Sequence, residues 1–551
     1  MSPGTASSKR HAAVIASFAL AVVLVCTLVS SQTALWDRDE PRFARAAVEM
    51  VESGQYLYPT FNERLRADKP ILVYWLMSLP IRAFGASEWS VRLWSAVGLA
   101  LASCATFAIG RKLFGARVGL LAALILVTTP LAFAESVLAT TDALLLGLVT
   151  SALAFCVHAV VDGTRIGHLL GFAAAIAAAL LLKGPIGLAL PVLAIGAALF
   201  LGSTVAELRP WRRFLPVAAF TGLAVFLLWA VPANVATDGE FARQGLGHHV
   251  LDRVTTAQES HGGAYFAGLP FYVPIVWIGF GAWSLYLPAA LMALWASEGF
   301  AKRERALLLG WLATTFVLVT LVATKLVHYV LPLFPALALI AARVVDAADG
   351  ERLGRRTRKW LPRGAWVFVP LVAIELGALT WLGWREPSVR VGAGGLAVLA
   401  LATAGFALAR FRRGEHYAAA GVLAAGSFAS ASVLVLGVLR PIDARKPVPP
   451  LAAELRAAVE PGVRLATYDF DEPSLLFYVG RGPIKKLSES ASARAWLLAH
   501  RPVVLVTTPH GAGELATTLA ELGGREIARS AGFNFATGRE VELVALAFGQ
   551  R

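Results

Sequence analysis

The chain has 551 residues, of which 57% are hydrophobic and only 16% charged, with a formal net charge of +14. Soluble proteins carry about 25% charged residues, and a fold of this size in water could not hide so many apolar ones. The basic residues sit mostly in short gaps between apolar blocks of roughly 18–25 residues, the length that carries a helix across a bilayer; this is the pattern of membrane topology and argues against nucleic acid as a partner.

The first block, 12–31, follows Ser8-Lys9-Arg10-His11 and is long for a signal core. It reads as an uncleaved first helix with a cytoplasmic N-terminus. About twelve further spans follow near 93–110, 116–134, 142–160, 168–182, 186–203, 214–235, 268–296, 306–324, 328–345, 365–384, 391–410 and 417–439. Alternating them from an inner N-terminus puts Arg111-Lys112, Arg212-Arg213, Lys302-Arg303 and Arg412-Arg413 inside. That is the positive-inside asymmetry, and it leaves the C-terminus outside. Cys26, Cys104 and Cys156 all fall within apolar blocks and read as small core residues.

Two regions are too polar for lipid: the loop 32–90 and the tail beyond 440. Pro441, Pro447, Pro449 and Pro450 mark the exit from the last helix. Beyond them, 464–468, 502–507 and 541–547 read as strands, and 451–459 and 514–522 as helices. The expected architecture is a polytopic all-α membrane bundle, 1–440, followed by a small extracytoplasmic α/β domain, 441–551.

The outer loop opens Trp36-Asp37-Arg38-Asp39-Glu40-Pro41-Arg42-Phe43. Asp39 and Pro41 suit the start of a helix, and Gly54 suits its end. Phe43, Ala46, Ala47, Met50 and Val51 form an apolar stripe, with Arg42, Arg45 and Glu49 on the polar side. Such a helix would lie on the membrane surface and hold the Asp-Glu pair where a lipid presents its headgroup. Asp68-Lys69-Pro70 follows in the same loop, as a cation beside a rigid proline. Later outer loops bring Glu135 and Thr141-Asp142, then Lys183-Gly184-Pro185, then His248-His249, Arg253 and His261, then Lys325, His328 and Tyr329. Any one of these is an ordinary loop residue: Asp142 could cap a helix and Lys69 could snorkel. Together they gather acids, cations and histidines on one side of the membrane.

The ordered set Asp39-Glu40-Pro41-Arg42-Phe43-Ala44, Asp68-Lys69-Pro70 with Tyr74-Trp75, Thr141-Asp142, Lys183-Gly184-Pro185 and Lys325 to Pro335 resembles a known family. It is the one containing the dolichyl-phosphate-mannose–protein mannosyltransferases and the lipid A aminoarabinose transferases. The resemblance covers most of 30–340 and implies the GT-C membrane fold. It implies an inverting transferase that moves a sugar, such as aminoarabinose or mannose, from a polyprenyl-phosphate carrier. The acceptor would be lipid A, another glycolipid or a protein, on the outer face of a bacterial inner membrane.

By similarity, Asp39 is the main catalytic carboxylate, with Glu40 beside it and Asp142 a second acid. Lys69 would neutralise the carrier phosphate, helped by Arg42, Lys183, Arg253 and Lys325. Related aminoarabinose transferases have Glu-Lys-Pro where this chain has Asp68-Lys69-Pro70, and there the Glu and a later His help bind a metal. Asp68 and His249 are the matching positions for a divalent ion (Zn, Mg or Mn), although Asp reaches less far than Glu. No nucleotide-binding glycine loop is apparent, which suits a lipid-borne donor. The competing expectation is a transporter or lipid-linked sugar flippase, which would need ionisable groups near the midplane; Glu375 is the clearest deep charge.

Overall fold

The computed structural model describes residues 3–36, 39–202, 209–245, 269–460 and 462–549. In lipid a backbone must satisfy its own hydrogen bonds, so apolar blocks of this length become helices. Among the described residues eleven helices are long and apolar enough to span, and counting each of two bent pairs as one span raises the number to thirteen. Each expected span has its counterpart, from Ala13–Ser30 to His416–Asp443.

Two blocks expected as continuous spans are broken. Ala116–Val127 and Pro130–Ser136 meet at 66°, and Tyr272–Leu285 and Leu287–Trp295 at 99°. Pro130 cannot continue the hydrogen-bond ladder of the preceding helix. The Thr128 and Thr129 hydroxyls donate to the carbonyls of Leu124 and Leu126, satisfying part of what the break frees. Five residues before the second break, where the helix gives way to a 3₁₀ run, Gly281 takes φ +58°, and a Cβ there would lie 2.6 Å from the Pro130 ring. Trp283 Nε1 donates to Thr128 Oγ1 at 3.0 Å, so the two breaks pack against each other.

The chain divides into two compact units: 1–30, 67–73 and 92–438, and 31–66, 74–91 and 439–551. The first unit is the helical bundle. Its helices approach closely at glycines. A Cβ on Gly98 would meet Ala143 backbone atoms and Leu144 Cα at 2.5 Å, and one on Gly147 would meet the Gly98 carbonyl oxygen at 2.6 Å. Arg92 is buried and donates to the Ser30 carbonyl at 2.7 Å, fixing the end of the first helix.

The second unit contains a mixed five-stranded sheet. β1 (Thr60–Phe61) and β2 (Arg64–Leu65) form a separate small hairpin, turned by Asn62 and Glu63 at φ 55° and 62°. The sheet itself comprises β3 (Arg464–Tyr468), β4 (Ile484–Leu487), β5 (Val503–Thr507), β6 (Arg525–Asn534) and β7 (Arg539–Phe548), in the order β4-β3-β5-β7-β6. β4, β3 and β5 are parallel; β7 and β6 add antiparallel. Its core joins Ala466, Tyr468, Leu487, Leu497, Leu505 and Phe548.

Residues 31–66 and 74–91, expected with the bundle, group with this sheet. One cause is Asn62, whose amide donates to the Ile484 carbonyl and accepts the Ile484 N–H, both at 2.8 Å. That pairing covers the open edge of β4. The helix Asp39–Ser53 also departs from the surface-lying helix expected. Phe43, Ala46, Ala47 and Met50 are buried as an apolar stripe should be, but so are Arg45 and Glu49. Arg45 pairs with Glu49 at 3.2 Å and Glu52 at 2.7 Å. Glu49 also accepts from the Thr60 hydroxyl and the Asn62 N–H. The polar side is thus turned into protein and satisfied there.

Candidate active site

In the bundle the expected residues gather where spans end. Asp142 is the first residue of the helix Asp142–Asp162, and Lys183 the last of Ile166–Lys183. A carboxylate at a helix N-terminus and an ammonium at a C-terminus each complement the helix dipole. Lys183 Nζ donates to Asp142 Oδ1 at 2.5 Å, with both side chains largely buried. Gly184 follows at φ +69°, and the position of its missing Cβ lies 3.9 Å from the Pro70 ring. The Asp68-Lys69-Pro70 and Lys183-Gly184-Pro185 segments therefore pack side by side. Lys69 lies within electrostatic range of Asp142 and donates to the Asp68 carbonyl at 3.3 Å.

Three further residues join the cluster. The half-span Pro130–Ser136 delivers Glu135, and the 3₁₀ run Val327–Leu333 delivers His328 and Tyr329. His328 lies between two acids, with Nδ1 3.6 Å from Glu135 Oε1 and Nε2 3.8 Å from Asp142 Oδ2. Thr140 Oγ1 donates to Glu135 at 3.0 Å. The Lys183 ammonium stands 5.5 Å from the centre of the Tyr329 ring. Neither Glu135 nor His328 was among the expected site residues. Their only sequence signal is position: they occupy the same loops between apolar blocks as Asp142 and Lys325.

Lys325 has a different set of contacts. Its ammonium donates to the carbonyls of Thr320 and Val322, at the end of the helix Lys302–Leu321, and stands over the Tyr272 ring. Burial pushes its pKa below the usual lysine value.

The other acids lie in the second unit. Asp39 is exposed at the start of its helix, with Arg42 4.0 Å away. Glu40 is buried and accepts the Trp36 N–H at 2.6 Å. Arg253 and His249 lie outside the described residues. So do Asp37 and Arg38. Among the described residues no group of three or more His, Cys, Asp and Glu side chains could hold a metal ion.

Residues 68–232 match the family model described as dolichyl-phosphate-mannose-protein mannosyltransferase. The chain is 28% identical over 324 residues to the undecaprenyl phosphate-alpha-4-amino-4-deoxy-L-arabinose arabinosyl transferase of Edwardsiella ictaluri, covering 58% of this chain and 56% of that protein. To the Aeromonas hydrophila protein of the same name it is 27% identical, over 63% of each chain. Over these stretches the chain is similar to members of that glycosyltransferase family. Its match spans less than two thirds of those two relatives. Among solved structures, ArnT from Cupriavidus metallidurans bound to undecaprenyl phosphate superposes with TM-score 0.80 at 22% identity, covering 96% of this chain and 97% of that one. The apo form gives 0.78 at 23%, covering 97% and 98%. The fold of these structures therefore extends over nearly the whole chain.

Proposed function

We propose that the protein is an inverting glycosyltransferase that moves a sugar from a polyprenyl-phosphate carrier to a lipid A, glycolipid or protein hydroxyl. The observation that carries this reading is the meeting of Asp142 and Lys183, at the ends of two apolar helices, with Lys69 from the loop before Leu72–Phe84. The relatives named for undecaprenyl-phosphate aminoarabinose support the donor class.

The chemistry follows from the charges. An acceptor hydroxyl is a poor nucleophile and needs a carboxylate to take its proton; Asp39 is that base. The departing polyprenyl phosphate keeps its negative charge, which Lys69 offsets in a poorly hydrated setting. Lys183 is paired with Asp142, so the two together contribute little net charge. Asp142 then serves to fix Lys183 and to face the sugar. Arg42 and Arg253 are further cations for the carrier phosphate, and Lys325 a more distant one. One direct displacement inverts the anomeric carbon without a covalent enzyme intermediate.

The reading places the protein in a bacterial inner membrane with the N-terminus cytoplasmic, and the site and C-terminal part outside. The basic inner loops support this orientation. A transporter reading loses support because Glu375, the deep charge, lies on the exposed side of the helix Arg363–Arg385. Its position does not resemble a buried midplane site.

The test is purified protein in lipid with a panel of radiolabelled polyprenyl-phosphate sugars, wild type beside Asp39→Asn. Transfer or release by the wild type alone is expected. Equal activity in folded Asp39→Asn would remove Asp39 from the mechanism.

A further inference from the structure

The stretch Ala34-Leu35-Trp36 lies shortly before the helix that Asp39 opens and has no regular secondary structure. A free loop there would let Asp39 wander. Instead, all three of its backbone N–H groups are held by side chains. Ala34 N–H donates to Asp443 Oδ2 at 2.6 Å, Leu35 N–H to the Tyr478 hydroxyl at 2.7 Å, and Trp36 N–H to Glu40 Oε2 at 2.6 Å. Two of its carbonyls are held as well: Lys446 Nζ donates to Ala34 O at 3.2 Å and Leu35 O at 2.9 Å.

The clamping groups are themselves fixed. Lys446 pairs with Asp443 at 2.5 Å and sits 3.8 Å from the centre of the Trp36 ring. The Tyr478 hydroxyl, while accepting from Leu35, donates to Glu88 at 3.1 Å. Asp443, Lys446 and Tyr478 are all at most 13% exposed. Charge-assisted bonds in such surroundings are the strong ones, and one polar group replaced leaves its buried partner unsatisfied.

We infer that Asp443, Lys446 and Tyr478 are positioning residues for the reaction: the C-terminal part of the chain sets the place of the Asp39 carboxylate by immobilising residues 34–36. The inference rests on the role proposed above for Asp39. It gives the C-terminal segment a task in turnover apart from any contact with the acceptor. Geometry matters here because a base displaced by about 1 Å can lose on the order of 10²-fold in rate.

The experiment has two arms on the full chain in lipid. The first is hydrogen–deuterium exchange of peptides spanning 32–42 in wild type, Tyr478→Phe, Lys446→Met and Lys446→Arg. Exchange at Ala34, Leu35 and Trp36 should accelerate in Tyr478→Phe and Lys446→Met and be largely restored in Lys446→Arg. Protection elsewhere in the sheet should be unaltered. The second arm is sugar transfer, where kcat should fall by roughly 10-fold or more while donor KM changes little. Arg494→Ala, which breaks a surface pair with Glu521, should match wild type in both arms. Unaltered exchange at 34–36 in both disrupting variants would overturn the clamp. Faster exchange with full kcat would overturn its role in turnover. Wild type without transfer on any donor would count against the parent reading, and the exchange arm would still decide the clamp.

Discussion

Replacing Gly98 by alanine adds one methyl group where the helices Glu88–Phe114 and Asp142–Asp162 cross. The new Cβ would stand 2.5 Å from the Ala143 carbonyl carbon and oxygen and from Leu144 Cα. These are backbone atoms and cannot rotate away. Carbon atoms pack comfortably at about 3.5–4.0 Å, so the second helix must retreat by about 1 Å. Its first residue is Asp142, bonded to Lys183 at 2.5 Å. If Lys183 stays in place, the contact lengthens to about 3.5 Å, beyond a useful charge-assisted hydrogen bond. Overpacking of this kind costs about 1–3 kcal/mol. A displaced site residue costs on the order of 10²-fold in turnover. The assay is sugar transfer in lipid together with thermal unfolding of Gly98→Ala. Gly394→Ala serves as the control, because a Cβ there meets nothing within 4 Å. It should be neutral or slightly stabilising. Wild-type turnover and unfolding temperature in Gly98→Ala would refute the reasoning.

Three other outcomes are expected. Lys69→Ala should raise the donor KM more than it lowers kcat, as read from transfer rates across donor concentrations; an unchanged KM would remove Lys69 from the phosphate. Lys183→Met strands the Asp142 carboxylate and should destabilise the protein by about 3 kcal/mol. Adding Asp142→Asn should recover most of that loss, and thermal unfolding of single and double variants measures the coupling. Asn62→Ala removes both hydrogen bonds to Ile484, should cost about 1–3 kcal/mol, and should speed proteolysis between 54 and 66; unchanged digestion would mean that other contacts hold the hairpin.

The helical bundle is legible in the sequence because lipid leaves the backbone few choices. Even the adjoining spans Ile166–Lys183 and Pro185–Gly202, separated only by Gly184, are where the apolar blocks put them. The two bends escaped because Pro130 and Gly281 sit inside blocks that remain apolar throughout, so hydropathy does not register them. In the sheet, the buried strands β3, β5 and β7 are marked by apolar runs. β4 is a short edge carrying Lys485 and Lys486, and β6 is largely exposed with charged residues at its start, so neither has such a run. Arg45 and Glu49 read as a polar face because sequence cannot reveal that Thr60, Asn62 and Glu52 complete their bonding. The pairing of Asp142 with Lys183 follows from two outer loops whose facing ends are set by the helix crossing. The insertion of His328 between Glu135 and Asp142 depends on a bent span and a 3₁₀ run, which leave no periodic mark.

The hydrogen bond between Ala34 and Asp443 joins positions 409 residues apart. Synthesis therefore makes the Asp39 loop early and its fastenings last. While the intervening helices are being inserted, residues 34–36 lack the Asp443, Lys446 and Tyr478 side chains that later hold them. A nascent chain that already contains Lys69, Asp142, Lys183 and His328 thus still has residues 34–36 unfastened. On the role proposed for Asp39, stalling or truncating the chain before Tyr478 would leave the charge cluster without a fixed base, and competence for transfer would be acquired near the end of translation.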